Sequence, residues 1–477
     1  MVDIQDMGQR SSASQRLKIL LGSASIMALG PLLIASPALA QQTTPPQNSD
    51  ERVTEVDEVI VTGIRASIRS AQSIKQNSDV FVDAITAEDI GALPDRSVTE
   101  ALQRVPGVSV SRFAAGNDPD HFSVEGSGVV VRGLTFVRSE LNGRDTFSAN
   151  NGRDLSFADV PPELLGSVEV FKNVSADQIE GGISGTVNLN TRKPFDSSSR
   201  VFAGSVEANY GDLASVVTPT VSALFSDRWE TSVGEFGLLL SGVHSELKSE
   251  SNGLQATNFR LDQSTGRDLW APRGLAFRNQ AFDRQRDGIA AAGQWQSNDR
   301  TMVATLQYLR SESSQAWTEN AVETIVDDAA GRFPLPGTTW EYDDSGIFTR
   351  GVVTSQDGWR SADPSVPLDG IQHSLIKRGV QQTYVTSDYG FNFKWSPTDR
   401  LRLNFDAQYV ESTVENTDFQ LANSFFAVDD IDLTGDLPTL GLLPPNPTGT
   451  GNGASYLDDP ANYYWRNAMD HKEDSDG

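Results

Sequence analysis

The sequence predicts a β protein: a transmembrane antiparallel β-barrel preceded by a compact α+β domain. Three observations carry this. Segments after Val201 alternate apolar and polar residues with a period of two over about ten positions, which suits a strand with lipid on one side and water on the other. Helix caps and mixed strand signals are confined to 79–194. The one long apolar stretch, Ile19–Ala35, lies in an N-terminal segment of export type.

That segment, residues 1–40, is expected to be a signal peptide. Arg10, Arg16 and Lys18 flank the apolar stretch, and Ala38-Leu39-Ala40 is a small-x-small cleavage site. A single membrane anchor fits less well, because Gly22, Gly30 and Pro31 interrupt the stretch. No later run is long enough for a membrane helix, so any spanning part must be a closed sheet. Residues 41–54 form a polar Gln/Thr/Pro-rich linker. Residues 55–65 follow as a strand-prone peptide around Asp57, Glu58, Val59, Ile60, Val61, Thr62 and Gly63. Behind a flexible linker, such a peptide has unpaired backbone groups and can add itself to a partner's sheet. The plainer reading is an ordinary first strand of the next domain.

Residues 79–194 read as the compact domain. Thr86-Ala87-Glu88-Asp89 looks like a helix start. Ser97-Val98-Thr99-Glu100 fits a capping box, Ala101, Leu102 and Val105 supply an apolar face, and Pro106-Gly107 stops the helix. Val108–Val110 and Val129–Val131 read as short strands, and Asn142-Gly143 is a tight-turn dipeptide. Pro161-Pro162 opens a short helix with Asp159 placed to cap it, and Ser167–Phe171 alternates towards strand. Gly181, Gly182 and Gly185 permit tight turns and close backbone approach. They do not read as a phosphate cradle, since no Lys-Ser/Thr follows and Thr186–Asn190 reads as strand.

Residues 200–477 read as part of a barrel. Phe202, Val206 and Tyr210 share one face of the first strand; Leu401, Leu403, Phe405 and Tyr409 share one face of a later strand, with Arg402, Asn404 and Asp406 opposite. Ser297–Arg300 and Ser396–Arg400 are tight connections, each preceded by a tryptophan, Trp295 and Trp395, where an interfacial girdle would stand. Leu247–Arg286, Glu312–Gln381 and Ser412–Asn462 read as long outer loops, and the polar end His471–Gly477 as another. About seven strands are expected after Val201, too few to close around a folded domain, so the sequence reads as the N-terminal part of a longer protein.

Composition narrows the function. The chain has 477 residues, no cysteine and a net charge of −26. Thiol chemistry and disulfides are excluded, and nucleic acid is an unsuitable partner for so acidic a chain. His121, His244, His373 and His471 are scattered, and Asp429-Asp430-Ile431-Asp432 lacks the spacing of a calcium loop, so no metal is expected. No nucleophile elbow or paired-carboxylate motif is present. Neither a cofactor nor an enzyme activity is expected.

Taken together these blocks resemble a TonB-dependent outer-membrane receptor. Asp57–Gly63 resembles the TonB box. Ser97–Val110, Val131-Arg132-Gly133-Leu134, Leu141-Asn142-Gly143-Arg144 and Ile179–Pro194, which contains Glu180, Gly181, Gly182 and Gly185, resemble successive blocks of the plug domain. Ile64–Arg112 further resembles the large proteobacterial receptors for plant and microbial breakdown products, often saccharides.

The resemblance implies a plug inside a 22-stranded barrel of the Gram-negative outer membrane. It implies capture of an extracellular small molecule or oligosaccharide, and work supplied by the C-terminal domain of TonB through the TonB box. Too few residues separate Ala40 from that box for an additional signalling domain. Arg132 is expected to pair with an inward carboxylate such as Glu207 or Asp406, or else to stay solvated. Trp270, Trp317, Trp340 and Trp359 are candidate ligand contacts, with local packing as the plainer alternative. Saccharide is the first expectation for the substrate and ferric siderophore the second. A passive porin or a non-transporting binding protein are the alternatives.

Overall fold

The computed structural model describes residues 69–78, 80–86, 97–115, 118–122, 125–126, 128–149, 156–157, 160–173, 176, 178–263, 266–324, 332–355, 370–444 and 456–477. The export segment, the linker and the strand-prone peptide lie outside these residues, as does the continuation of the helix expected from Thr86; Thr86 itself ends a strand.

The N-terminal domain contains β1 (Val82–Thr86), β2 (Val108–Ser111), β3 (Phe113–Ala115), β4 (Asp118–Phe122), β5 (Gly128–Val131), β6 (Val137–Leu141), β7 (Arg144–Asp145), β8 (Leu165–Phe171) and β9 (Gly185–Thr191). Its main sheet has the order β1-β8-β9-β6-β7, with β6 parallel to β9 and the other pairs antiparallel. β9 is central, so Val187 and Leu189 are buried while Thr186 and Asn188 on its other face are covered too. A short helix, Val98–Leu102, starts where the Ser97 hydroxyl accepts from the Glu100 N–H at 3.2 Å. It ends before Gly107, which takes a left-handed φ of 75°. Val98, Leu102, Val129, Val131, Leu141, Leu165, Val168 and Val170 close the core. Pro161-Pro162 opens only a single 3-10 turn, Pro162–Leu164. Asp159 lies outside the described residues.

The second part contains β10 (Val201–Gly211), β11 (Val216–Thr231), β12 (Gly234–Asp262), β13 (Leu269–Gln296), β14 (Met302–Thr324), β15 (Phe333–Pro334), β16 (Glu341–Tyr342), β17 (Phe348–Thr354), β18 (Ile371–Thr398), β19 (Leu401–Asp432), β20 (Thr439–Leu443) and β21 (Tyr463–Asp476). Among the described residues, eight long strands form one antiparallel sheet, β10-β11-β12-β13-β14-β18-β19-β21, one more than expected. The added strand is β21. Its polar residues His471–Asp476, read as loop, pair with Asp418–Thr413 of β19. The expected long loops are likewise mostly ladder, with Leu247 opposite Arg284 and pairing continuing to Asp262 opposite Leu269. Beyond the lipid, a strand's outer face need not be apolar, so the ladder continues without an alternating signature.

The apolar band is where alternation placed it. Phe202, Val206, Tyr210, Val221, Leu240, Ile289, Leu306, Phe391, Phe405 and Tyr409 are exposed on the outer face. Trp229 stacks on Phe236 at the tight-turn end, Trp295 stands opposite Phe236, and Trp395 stands opposite Met302 and Leu403. Tyr308, Tyr389 and Tyr409 form a second row on three neighbouring strands. Two aromatic rows flanking an apolar belt are the marks of a membrane-spanning sheet. No helix among the described residues is long and apolar enough to cross a membrane.

At the far end of β19, β17 and β20 pair with the same residues, 429–432, forming a small outer sheet. Phe348, Val353, Ile371, Ile431 and Leu275 make its separate core.

Candidate functional site at the interface of the domain and the wall

The inner face of the long sheet carries the N-terminal domain. Val243, Ala290 and Leu309 of β12, β13 and β14 belong to the same apolar cluster as Leu164, Leu165 and Val168. The domain and wall therefore share a core and are held by burial as well as by polar contacts.

The β6–β7 hairpin makes a directed polar contact to the wall. Its turn residues Asn142 and Gly143 both have positive φ, 56° and 75°, the signature of a tight hairpin turn. The tip is bound back onto β9. The Asn142 N–H donates to the Leu189 carbonyl at 2.8 Å, the Thr191 N–H to Asn142 Oδ1 at 3.0 Å, and the Gly143 N–H to Asn188 Oδ1 at 2.8 Å. This fixes Arg144 as it leaves the turn. Its guanidinium binds Asp406 of β19 with Nε and Nη2, and Nη1 donates to Gln307 Oε1 of β14 at 3.4 Å. Gly390 of β18 lies between those strands, and a Cβ there would come within 2.5 Å of Arg144 Nη1. The missing side chain is the space that the guanidinium fills. Gln307 completes the join by donating from Nε2 to Thr191 Oγ1 at 2.9 Å.

Arg132, the residue expected to make this pair, does not. It sits exposed in a turn with φ 53°, next to Gly133 at φ 81°. The Val131 and Leu134 backbones bond each other across that turn at 3.0 Å in both directions. Its side chain is exposed, and it is Arg144 that takes Asp406.

Glu180 is exposed, while its carbonyl accepts from Arg138 Nη1 at 3.0 Å. The buried Arg138 also reaches Glu140 Oε1 at 3.3 Å and Asp145 at 2.7 Å. It thus ties the 180–185 turn to the hairpin that carries Arg144. Gly181 and Gly185 have φ of 131° and 153°, and a Cβ on Gly185 would meet the Phe171 carbonyl oxygen at 2.6 Å. Gly182 lies between them in the same turn, against the Gly185 carbonyl.

A second ionic contact went unread in the sequence. Glu125, buried at the edge of the N-terminal domain, binds Arg284 of β13 and lies 3.6 Å from Arg286 of the same strand. The Arg284-x-Arg286 spacing puts both guanidiniums on one face of a strand. That spacing was the available signal, but nothing local identified Glu125 as its partner. Glu163 stands beside them. Burial raises its carboxyl above the usual range, against the downward pull of its own backbone N–H and of Arg286; Glu207 adds to the rise.

Of the four candidate tryptophans, Trp270, Trp317 and Trp340 lie among the described residues. Trp359 and the whole peptide Asp57–Gly63 lie outside the described residues. Trp340 is engaged in the outer sheet, edge-on to Phe348 with its Nε1 donating to the Val352 carbonyl at 3.1 Å. Trp270 is 40% exposed near Ile347. Trp317 is buried on the inner face of β14. No group of acidic or histidine side chains able to hold a metal occurs among the described residues.

Residues 74–186 match the family model described as the TonB-dependent Receptor Plug Domain. The iron-regulated outer membrane virulence protein of Vibrio cholerae serotype O1 (strain O395) is 29% identical over 142 residues, 29% of this chain and 21% of that protein. The match thus spans about a fifth of the length of the curated relative. Solved structures with a similar chain path include a mutant ferric enterobactin receptor of Pseudomonas aeruginosa (12% identity, 85% of this chain and 78% of that one, TM-score 0.30). A siderophore receptor of Acinetobacter baumannii shows 12% identity over 78% and 76% of the two chains, with a TM-score of 0.29.

Proposed function

We propose that this chain, a TonB-dependent receptor of the outer membrane by its plug domain and spanning β-sheet, imports a scarce extracellular solute with work delivered through TonB. The plug is taken as residues 79–194 and the barrel portion as 200–477. The carrying observation is the double attachment of the plug to the inner wall, Arg144 to Asp406 and Glu125 to Arg284 and Arg286. A wall stopped by a separately folded domain does not leak as an open channel would, and the charged contacts have to be parted for a solute to pass. Parting the buried Glu125–Arg284 pair costs free energy, because each charge is left uncompensated until water reaches it. An external pull would supply that work directly, and Asp57–Gly63 is the peptide suited to transmit it by strand addition.

Saccharide is the substrate class this reading favours. A second reading, ferric siderophore import, draws on the iron-regulated name of the Vibrio relative. Growth of a deletion strain on individual glycans, set against growth under iron limitation, separates them. In the same strain, Ile60→Pro removes a backbone N–H from the peptide and bends it. The expected result is loss of uptake with surface binding of the solute retained. Full rescue of growth by the Ile60→Pro protein would refute energy coupling through this peptide.

A further inference from the structure

Two tight turns at the short-loop end of the sheet carry the same pattern, Trp-x-x-x-Asp-Arg, once from Trp295 to Arg300 and again from Trp395 to Arg400. Short connections mark the periplasmic end of a spanning sheet. Hydrogen bonds stitch these turns and the preceding one into a single rim. The Ser396 N–H donates to the Thr301 carbonyl at 2.8 Å, Asn298 Nδ2 to the Ser232 carbonyl at 2.9 Å, and Trp295 Nε1 to the Val233 carbonyl at 3.1 Å. Trp295 shares the outer face of β13 with Ile289, and Trp395 that of β18 with Tyr389, so the two rings mark the level of the lipid interface.

The arginines follow the tryptophans into the turns. Both are exposed, and among the described residues neither guanidinium makes an ion pair or a side-chain hydrogen bond. Several carboxylates near them are already engaged. Asp299 accepts from Ser297 Oγ at 2.6 Å, from the Thr301 N–H at 3.1 Å and from Thr301 Oγ1 at 2.9 Å. Glu235, which lies in the field of Arg300, is bound by Arg228 at 2.5 Å, and Asp227 by Arg200 at 2.7 Å. Exposed Glu230 and Asp399 remain as opposing charge, while Lys394 and Arg402 add positive charge from the inner face. The opposite rim is different. There Arg310 is bound by Glu312, His244 stands between Asp287 and Glu246, and exposed Glu411 and Glu415 add further negative charge.

Arg300 also has a left-handed φ of 58°, which Gly or Asn would adopt at lower cost. A strained residue kept at an exposed turn, where no packing demands it, points to a use for its side chain. We infer that this rim binds the phosphates of anionic phospholipid in the periplasmic leaflet, with Arg300 and Arg400 each taking one phosphodiester and Trp295 and Trp395 lying at the acyl boundary above. A guanidinium meets phosphate with two parallel N–H bonds. The turns are two strand spacings apart, about 10 Å, which leaves each guanidinium its own headgroup. The inference rests on the spanning sheet and not on import, so either can fail alone.

The test uses the purified full chain reconstituted in phosphatidylcholine bilayers containing brominated phosphatidylglycerol, set against brominated phosphatidylcholine. Quenching of tryptophan fluorescence gives the relative affinity of the two lipids for the protein surface. The expected result is a preference of about threefold or more for phosphatidylglycerol in dilute buffer that falls towards parity at about 0.5 M salt, because exposed charges are screened. Arg300→Asn and Arg400→Gln should each reduce the preference, and the double variant should abolish it. Arg402→Gln, on the inner face, should leave it unchanged. Arg300→Asn should melt at the parental temperature or higher, since Asn tolerates the left-handed turn, so its loss of preference is separable from unfolding. Three outcomes overturn the inference: no preference in the parent, a parental preference in the double variant, or an equal loss in Arg402→Gln, which would assign the effect to net charge alone.

Discussion

Arg144 and Glu163 show how single side chains bear on the seating of the N-terminal domain against the wall. Arg144 is buried, yet its partner Asp406 keeps 39% of its side-chain surface exposed. The pair is therefore screened on one side, and Arg144→Ala should cost the low end of the range for a charged hydrogen bond, about 1–2 kcal/mol. Arg144→Lys should recover little, since an ammonium cannot bridge Asp406 and Gln307 as a planar fork does. Gly390→Val should reproduce the loss without touching either charge, by occupying the space of the guanidinium. Limited proteolysis of the N-terminal domain in the folded protein reads all three.

Glu163 has the opposite sign. Its carboxyl is raised by burial, so the folded state holds the proton more tightly than the unfolded chain. The contribution is favourable at low pH. It is lost as pH climbs from the ordinary carboxyl range through the raised value. Glu163→Gln should melt higher than the parent at pH 7, with the difference vanishing towards pH 4. A melting profile of the two proteins parallel across that range would show that Glu163 is not the titrating group.

At the scale of elements, the β6–β7 hairpin joins local chemistry to long-range contact. Asn142-Gly143 announced its turn, and the positive φ of both residues is the reason those types occur there. Gly143→Val should cost about 1–2 kcal/mol for forcing a branched residue left-handed. Faster hydrogen exchange at Leu141 and Leu189 would register it. That the hairpin delivers Arg144 to Asp406, 262 residues away, could not be read from either neighbourhood. The same limit explains the Arg132 expectation: both arginines stand at a turn next to a strand, and only their tertiary placement separates the exposed one from the buried one. The long strands failed in the other direction. β12, β13, β18 and β19 run to 29, 28, 28 and 32 residues, far past the roughly ten that cross a bilayer. Their outer halves are wet on both sides, so backbone pairing sustains them with no apolar period to reveal it.

For the whole molecule, the decisive property is the sorting of two faces. Leu306, 61% exposed, and Gln307, buried against the plug, are adjacent residues with opposite surroundings. Leu306→Arg should destabilise the inserted protein by about 2–4 kcal/mol, as a charge near the midplane of the lipid face does. Heat-modifiable mobility of the outer-membrane protein on gels measures it. An arginine placed instead at exposed Glu411, above the Tyr409 row, should leave that mobility unchanged.

Period-two alternation, the turn dipeptides and the capping serine are local properties, carried by neighbouring residues and by backbone geometry, and they determined from the chain alone that a mixed domain precedes a lipid-facing sheet. Which arginine meets which carboxylate, how far the strands run beyond the lipid, and which tight turns are stitched into one rim were decided only in three dimensions. Those outcomes depend on register between strands and on the seating of one domain in another, and both are set by burial summed over residues far apart in the chain.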